Sequence, residues 1–138
     1  MRVLIVDDEK LARDRLRELL NEIGGHTVVG EGMNGNEAVE KAAELNPDVV
    51  LMDIRMPGMD GLEAAMHLMG MESPPMVIFT TAYDQHALHA FEVNAVDYLL
   101  KPIRKDRLAA ALDKAKKLTL QQLQEINQAQ ESPQARTH

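Results

Sequence analysis

The sequence predicts an α/β fold, in which a doubly wound sheet of parallel strands carries helices on both faces. Three observations predict it: short continuous apolar runs that suit strands buried on both sides, amphipathic helical patterns between those runs, and a length that accommodates five such pairs. Alternating strands and helices favour parallel pairing with right-handed crossovers. The expected arrangement is therefore flavodoxin-like, (βα)5, with strand order 2-1-3-4-5.

Five segments are predicted to be strands. Residues 27–30 form the weakest candidate, and Asp97 and Tyr98 interrupt the last segment. The other four segments are residues 3–6, 49–52, 76–79 and 96–100. Because ligands bind beyond the carboxyl ends of strands in such sheets, the residues that follow each run are the functional candidates.

Helical patterns occupy the intervals between the strands. The first covers residues 11–23 and stops at two glycines, and the second begins at Asn34 or Asn36 and stops before Pro47. The remaining three are residues 61–69, residues 84–93 and a fifth helix that begins near Arg104.

Composition limits the possible partners and locations. A net charge of −7 argues against nucleic acid or an anionic membrane binding to a broad basic surface. Cysteine is absent, which excludes a disulfide, a thiolate metal site and a cysteine nucleophile. The apolar run at residues 3–6 is too short for a signal-peptide core or a membrane span. A cytoplasmic location without membrane attachment is expected.

The composition changes after Leu118. Residues 119–138 contain six glutamines and end in a polar, proline-containing stretch. Such a composition is typical of a linker. We therefore expect one domain over residues 1–118 and a Gln-rich linker over residues 119–138, leading toward an output domain that this chain lacks.

Chemically capable residues follow four of the predicted strands. Asp7 and Asp8 follow the first, Asp53 ends the third, Thr81 ends the fourth and Lys101 follows the fifth. Two carboxylates about 5 Å apart repel by roughly 3 kcal/mol at an effective dielectric of about 20. A cluster of three is therefore tolerable only with a cation, a raised pKa or a nearby lysine. Oxygen ligands in a small site favour Mg²⁺. One carboxylate could then attack phosphorus, with the metal, the lysine and the threonine binding the transferred group's oxygens.

Each of these residues also has an ordinary explanation when it is taken alone. Asp7 and Asp8 could cap the following helix, and Lys101 could simply end a strand. The segment at residues 56–61 could be any tight turn before a helix. The combination with Asp53 favours a shared cleft over these separate roles.

Four motifs in this order resemble those of the response-regulator receiver family. They are Val-Asp-Asp-Glu at 6–9, Met-Asp-Ile-Arg-Met-Pro-Gly-Met-Asp-Gly at 52–61, Thr-Ala at 81–82 and Lys-Pro at 101–102. The resemblance covers roughly residues 1–118. It implies that Asp53 accepts a phosphoryl group from the phosphohistidine of a sensor histidine kinase.

The resemblance also implies roles for the neighbouring residues. Asp8 binds Mg²⁺ directly beside Asp53, Asp7 contributes mainly through metal-bound water, and the backbone carbonyl of Arg55 completes the protein ligands. Thr81 and Lys101 contact the phosphoryl oxygens.

Two further features come with the family. Tyr98 matches its switch aromatic, whose rotamer follows Thr81, and the Lys101–Pro102 peptide bond is typically cis. Phosphorylation is expected to repack the face made by the 84–93 helix, the last strand and the last helix, and to promote a homodimer through it.

A finer resemblance concerns the output. Residues 81–103 and the Leu-Ala-Arg at 11–13 are similar to the receivers of LytTR-type transcriptional regulators. This implies DNA binding through a missing output domain. The alternatives are a stand-alone receiver that acts by protein docking or phosphorelay, and a haloacid-dehalogenase-like hydrolase. The hydrolase needs a second Asp two residues after the nucleophile, where this chain has Arg55, so no turnover on a separate substrate is expected.

Overall fold

A computed structural model of the chain describes residues 1–82 and 95–131, with side chains as far as residue 122. The strands are β1 (Arg2–Val6), β2 (Thr27–Gly32), β3 (Val49–Asp53), β4 (Met76–Thr81) and β5 (Asp97–Leu100). The helices are α1 (Lys10–Ile23), α2 (Gly35–Leu45), α3 (Gly61–Met69) and α4 (Lys105–Glu131). The helix predicted at residues 84–93 lies outside the described residues.

The five strands form one parallel sheet in the order β2-β1-β3-β4-β5, which confirms the predicted fold. Both faces of the sheet are buried. Val3 and Ile5 of β1 pack with α1 and α4, while Leu4 and Val6 pack on the opposite face with α2 and α3. This alternation explains why β1 reads as an unbroken apolar run.

The ends of α1 and α2 settle the capping alternatives. The N-cap of α1 is Glu9, whose side chain makes no cap hydrogen bond, so neither Asp7 nor Asp8 caps this helix. The C-cap of α1 is Gly24, with φ of 79°, a conformation that glycine adopts without steric cost. The cap of α2 is Asn34, which accepts a hydrogen bond from the backbone N–H of Glu37.

Helix α4 is longer than expected. The sequence predicts that the last helix ends before a Gln-rich stretch that begins at residue 119, but α4 continues without interruption to Glu131. Leucine, glutamine, glutamate and alanine are good helix formers, and the first strong helix breaker is Pro133. The division at residue 118 into a domain and a linker stays a prediction. Among the described residues, no helix combines the length and the apolar character needed to cross a membrane.

The start of α3 is pressed against the end of β3. Asp60 caps α3 by accepting a hydrogen bond from Glu63 N–H, and Gly61 follows as the first helical residue. A Cβ atom at position 61 would lie 2.1 Å from the backbone oxygen of Asp53. The glycine therefore lets the helix approach the strand end closely, and a larger residue would push on the backbone of Asp53.

Candidate functional site

The strand order brings the predicted site residues to one edge of the sheet. Strand β1, which precedes Asp7, pairs with β3, which ends in Asp53. Strand β4 lies between β3 and β5, so that Thr81 pairs with Leu100, the residue before Lys101. The carboxyl ends of these strands therefore frame a single cleft, as the parallel topology requires.

Three carboxylates meet in this cleft. Asp7, Asp8 and Asp53 each place an oxygen within 4.8 Å of the oxygens offered by the other two. Asp7 and Asp53 are buried, while Asp8 is exposed at the mouth of the cleft. An all-oxygen donor set of high negative charge fits a hard divalent cation such as Mg²⁺.

Lys101 links the buried carboxylates. Its Nζ lies 2.9 Å from Asp7 Oδ2 and 3.4 Å from Asp53 Oδ2. The lysine is only partly exposed, and the Asp7 side chain is fully buried, so this pairing is screened far less than a surface ion pair. The ammonium group offsets part of the repulsion within the acidic cluster.

The surroundings shift the pKa values of both Asp53 and Lys101. Burial is the main cause that raises the pKa of Asp53 to about 6, with Asp7 and Asp8 adding to the rise and Lys101 opposing it. For Lys101, burial by itself acts to lower the pKa, but the hydrogen bond to Asp7 and the nearby charge of Asp53 more than offset this and raise it. Lys101 therefore stays charged, while Asp53 becomes fully ionised only near neutral pH.

The remaining predicted residues lie around this cluster. Thr81 is buried at the end of β4, and its backbone carbonyl accepts a hydrogen bond of 2.7 Å from Lys101 N–H. The ring of Tyr98 stacks on Phe79, with 5.5 Å between the ring centroids. The Lys101–Pro102 peptide bond is cis, as the family resemblance implies. Arg55 is exposed in the loop after β3, and the role of its carbonyl as a ligand stays a prediction.

A set of residues beside the cleft was given no role by the sequence analysis. Arg13 of α1 donates a hydrogen bond of 2.7 Å from Nη1 to the backbone oxygen of Asp7. The same guanidinium lies 3.0 Å, Nε to Oε1, from Glu31 of β2. The one available signal was the Leu-Ala-Arg at residues 11–13, which supported a family resemblance without revealing what the arginine contacts.

Comparison with known proteins identifies the family. Residues 3–113 match the family model of the response regulator receiver domain. Among solved structures, the response regulatory domain of MrkE from Klebsiella pneumoniae has a TM-score of 0.77 and 33% identity, covering 88% of this chain and 99% of that one. The receiver domain of the putative regulator NarL from Mycobacterium tuberculosis has a TM-score of 0.76 and 37% identity, covering 83% and 95%. The chain belongs to this family and is the receiver domain of a two-component response regulator.

Curated relatives indicate a narrower group of response regulators to which the chain is similar. The positive alginate biosynthesis regulatory protein of Pseudomonas aeruginosa is 54% identical over 116 residues, which cover 83% of this chain and 47% of that protein. The sensory transduction protein LytT of Bacillus cereus is 43% identical over 124 residues, covering 90% and 50%. These matches confirm the resemblance to LytTR-type regulators. The chain spans about half the length of the curated relatives it matches.

The raised pKa of Asp53 predicts a pH-dependent stability difference between the wild type and Asp53→Asn in the absence of metal. The carboxyl of Asp53 has an ordinary pKa of 3.8, and its pKa in the folded state is about 6. At a pH between these two values, the folded state holds a proton that the unfolded chain releases. The stability of the fold therefore decreases as the pH rises through this window and Asp53 ionises. Asparagine avoids this cost. We expect Asp53→Asn to be more stable than wild type by about 1–3 kcal/mol at about pH 7.5, and by under about 1 kcal/mol at about pH 4.

Urea unfolding in the presence of EDTA measures both values. Asp113→Asn, at an exposed position on α4, controls for the substitution itself. A stability gain for Asp53→Asn that is the same at both pH values, or a loss of stability near neutral pH, would contradict a buried carboxylate whose ionisation destabilises the fold.

Proposed function

We propose that this chain is a phosphoacceptor switch, in which Asp53 receives a phosphoryl group from the phosphohistidine of a sensor histidine kinase. The observation that carries the proposal is the position of Asp53 Oδ2, 3.4 Å from an ammonium group that is also held by Asp7. This places a buried carboxylate beside a fixed positive charge and two further oxygen ligands. That arrangement is suited to phosphoryl transfer, where positioning and charge neutralisation provide most of the catalysis.

The proposed step is an in-line displacement at phosphorus. A carboxylate oxygen of Asp53 forms the new P–O bond while the P–N bond to the kinase histidine breaks, and the histidine nitrogen leaves with the bonding electron pair. With the pKa of Asp53 at about 6, most of the carboxyl is already ionised near neutral pH, so no separate base is needed. The step leaves an acyl phosphate on the end of β3.

Lys101 and Thr81 are proposed to receive the oxygens of the transferred group. Lys101 can exchange its contact with Asp53 for one with a phosphoryl oxygen while it keeps Asp7, and the Thr81 hydroxyl can donate to another. Asp8, Asp53 and the Arg55 carbonyl would hold Mg²⁺, with Asp7 acting through a metal-bound water. When bound, the metal supplies positive charge for the remaining phosphoryl oxygen.

A hydrolase that turns over a separate substrate is disfavoured. The second aspartate that such a mechanism requires is replaced by Arg55, an exposed cationic residue. We therefore propose that the chain catalyses only its own phosphorylation and the slow loss of that group. A cytoplasmic location is proposed because the kinase partner is expected there, and the absence of cysteine is compatible with a reducing compartment.

Phosphorylation is expected on Asp53 alone. Incubated with acetyl phosphate and Mg²⁺, the wild type should gain the mass of one phosphoryl group. Asp53 is the expected acceptor because it lies beside Lys101 and the other acids, whereas both carboxylate oxygens of Asp7 already accept hydrogen bonds from Glu9 N–H and Lys101. Asp53→Asn should gain none, and EDTA should abolish the gain in the wild type. Intact-mass spectrometry measures each result.

Asp60→Asn is the matched control for that experiment. It changes an acid in the loop that follows Asp53 but keeps the cap of α3, because asparagine caps a helix as well as aspartate does. It should be phosphorylated like the wild type. An Asp53→Asn protein that still gains one phosphoryl mass would refute the assignment.

We also propose that the phosphorylated chain controls a DNA-binding output domain that follows it. The support is that the matched relatives are about twice as long as the matched segment, and one of them is named a biosynthesis regulatory protein. The net charge of −7 argues against DNA binding to a broad basic surface of the receiver, so DNA contacts would belong to that other domain. A stand-alone receiver that passes on phosphate or docks a protein is the alternative.

The face around β5 is the proposed route from Asp53 to that output. Tyr98 stacks on Phe79 at this face, and Asp97 lies 3.5 Å from Arg107 of α4. Movement of Thr81 toward the phosphoryl group would free space behind it for Tyr98, and this repacking would bias a two-state surface toward dimerisation. Two paired receivers would place two output domains on adjacent DNA sites.

Self-association should therefore increase on activation. With a beryllofluoride phosphoryl mimic and Mg²⁺, light scattering should report a rise toward the dimer mass for wild type, and no rise for Asp53→Asn. An unchanged mass over a wide concentration range would contradict the dimer mechanism. A native reading frame that stops at codon 138 would contradict the output domain and favour the stand-alone alternative.

A further inference from the structure

A charged cluster lies behind the acidic cleft, between the first helix and the second strand. The carboxylate of Glu31 is paired with two arginines, at 3.0 Å from Arg13 Nε and 2.6 Å from Arg17 Nη2. Lys41 of α2 donates a hydrogen bond to the backbone oxygen of Glu31. The two arginines differ in their surroundings, because the Arg13 side chain is 12% exposed and that of Arg17 is 49% exposed.

Arg13 also reaches the backbone of the cleft. Its Nη1 donates to the carbonyl oxygen of Asp7 at 2.7 Å, so one rigid guanidinium joins α1, β2 and the end of β1. Every polar group of Asp7 is thereby engaged. Its N–H donates to Gly32 at 3.0 Å, Oδ1 accepts from Glu9 N–H at 2.9 Å, and Oδ2 accepts from Lys101 at 2.9 Å.

The neighbouring residue, Asp8, has no such anchor. Within residues 1–82 and 95–122, no hydrogen bond or ion pair fixes its exposed carboxylate. The position of that carboxylate therefore depends on the backbone that carries it. The carbonyl of Asp7 and the N–H of Asp8 belong to one planar peptide unit that ends at the Asp8 Cα atom. A bond that fixes the Asp7 oxygen therefore also restricts the position of the Cα atom from which the Asp8 carboxylate extends.

We propose that Arg13 is a positioning residue for metal binding: it holds the Asp7–Asp8 peptide unit so that the Asp8 carboxylate faces Asp53. This inference rests on the proposed function, in which Asp8 is a ligand of Mg²⁺. Glu31 holds the guanidinium of Arg13 in turn. The hydrogen bond from Arg17 has the largest effect on the pKa of Glu31 and lowers it below its ordinary value, and the hydrogen bond from Arg13 lowers it further against the effect of burial. Outer residues that orient metal ligands affect affinity in this way in other sites.

A purely structural role and a purely electrostatic role predict different behaviour. If Arg13 only attached α1 to β2, Arg17 would do much the same, because both bind Glu31. If only its charge mattered, removing a cation near the cleft would strengthen the binding of Mg²⁺. The positioning role predicts weaker binding instead, and predicts it for Arg13 but not for Arg17.

The test compares Arg13→Met, Arg13→Lys and Arg17→Met with the wild type. Methionine keeps an unbranched apolar stem and a similar helix propensity, while it removes the charge and the donors. The Mg²⁺ dissociation constant is measured from the backbone amide signals of Asp8 and Glu9 by NMR at constant ionic strength. We expect Arg13→Met to bind about tenfold more weakly, Arg13→Lys to lie between it and the wild type, and Arg17→Met to stay within about twofold.

Phosphorylation by acetyl phosphate provides the second readout. Because the defect concerns how the metal is held, saturating Mg²⁺ should return the rate for Arg13→Met to within about twofold of wild type. Urea unfolding in EDTA establishes that each variant is folded. If Arg13→Met does not fold, the Mg²⁺ affinities of Arg13→Lys and Arg17→Met test the proposal instead. Arg13→Lys must then bind Mg²⁺ more weakly than Arg17→Met does.

Several outcomes would overturn the inference. Tighter binding by Arg13→Met would show that its charge alone matters, and equal losses for Arg13→Met and Arg17→Met would show general support of the fold. Either result with a wild type that binds Mg²⁺ and is phosphorylated leaves the proposed function intact. A wild type that neither binds Mg²⁺ nor accepts phosphate would overturn both.

Discussion

The ammonium group of Lys101 lies between two buried carboxylates that would otherwise repel each other at the end of the sheet. It contacts Asp7 at 2.9 Å and Asp53 at 3.4 Å, and Asp8 adds a third negative charge at the cleft mouth. One lysine cannot balance three acids. Burial is the main cause of the raised pKa of Asp53, and the charges of Asp7 and Asp8 add to it although Lys101 opposes the rise. The cleft is therefore matched to additional positive charge, and a phosphoryl group there would meet a lysine already in place.

The fold serves this charge arrangement by joining distant parts of the chain. Asp7 and Lys101 are 94 residues apart in sequence. They meet because β1 and β5 lie on either side of β3 and β4 in a parallel sheet, so that both residues follow strands that end at the same edge. The sheet is packed between helices on both faces, and α3 approaches the backbone of Asp53 closely at Gly61. The same parallel order thus provides both the stability of the core and the convergence of the site.

Much of this could be predicted from the sequence because the signals are local. Buried strands read as apolar runs, Asn34 and Gly24 mark helix ends, and the rule that parallel sheets bind ligands at their carboxyl edge places Asp53 and Lys101 together. The length of α4 beyond Leu118 was missed because a polar, Gln-rich composition was interpreted as a tether, although no breaker precedes Pro133. Intrinsic helix propensity outweighed polarity there.

The contacts of Arg13 could not be predicted, since they depend on strand register. A shift in the pairing of β1 with β2, between Val3 and Leu4, sets Ile5 opposite Glu31. An offset of one residue moves a side chain to the other face of a sheet, and local sequence does not determine where such an irregularity falls. The partner of Arg13 is thus a property of the assembled sheet.

The central claim is that the cleft, with Lys101 alone, carries too little positive charge to balance its three carboxylates until a divalent cation binds next to Asp53. The most direct measurement follows the ¹³C signal of the Asp53 side-chain carboxyl through a pH titration, in EDTA and then in saturating Mg²⁺, for the wild type and for Asp8→Ala. We expect a pKa of about 6 for Asp53 without metal, a clear decrease with Mg²⁺ in the wild type, and a smaller decrease in Asp8→Ala. A pKa for Asp53 near its ordinary value that does not respond to Mg²⁺ would contradict the claim.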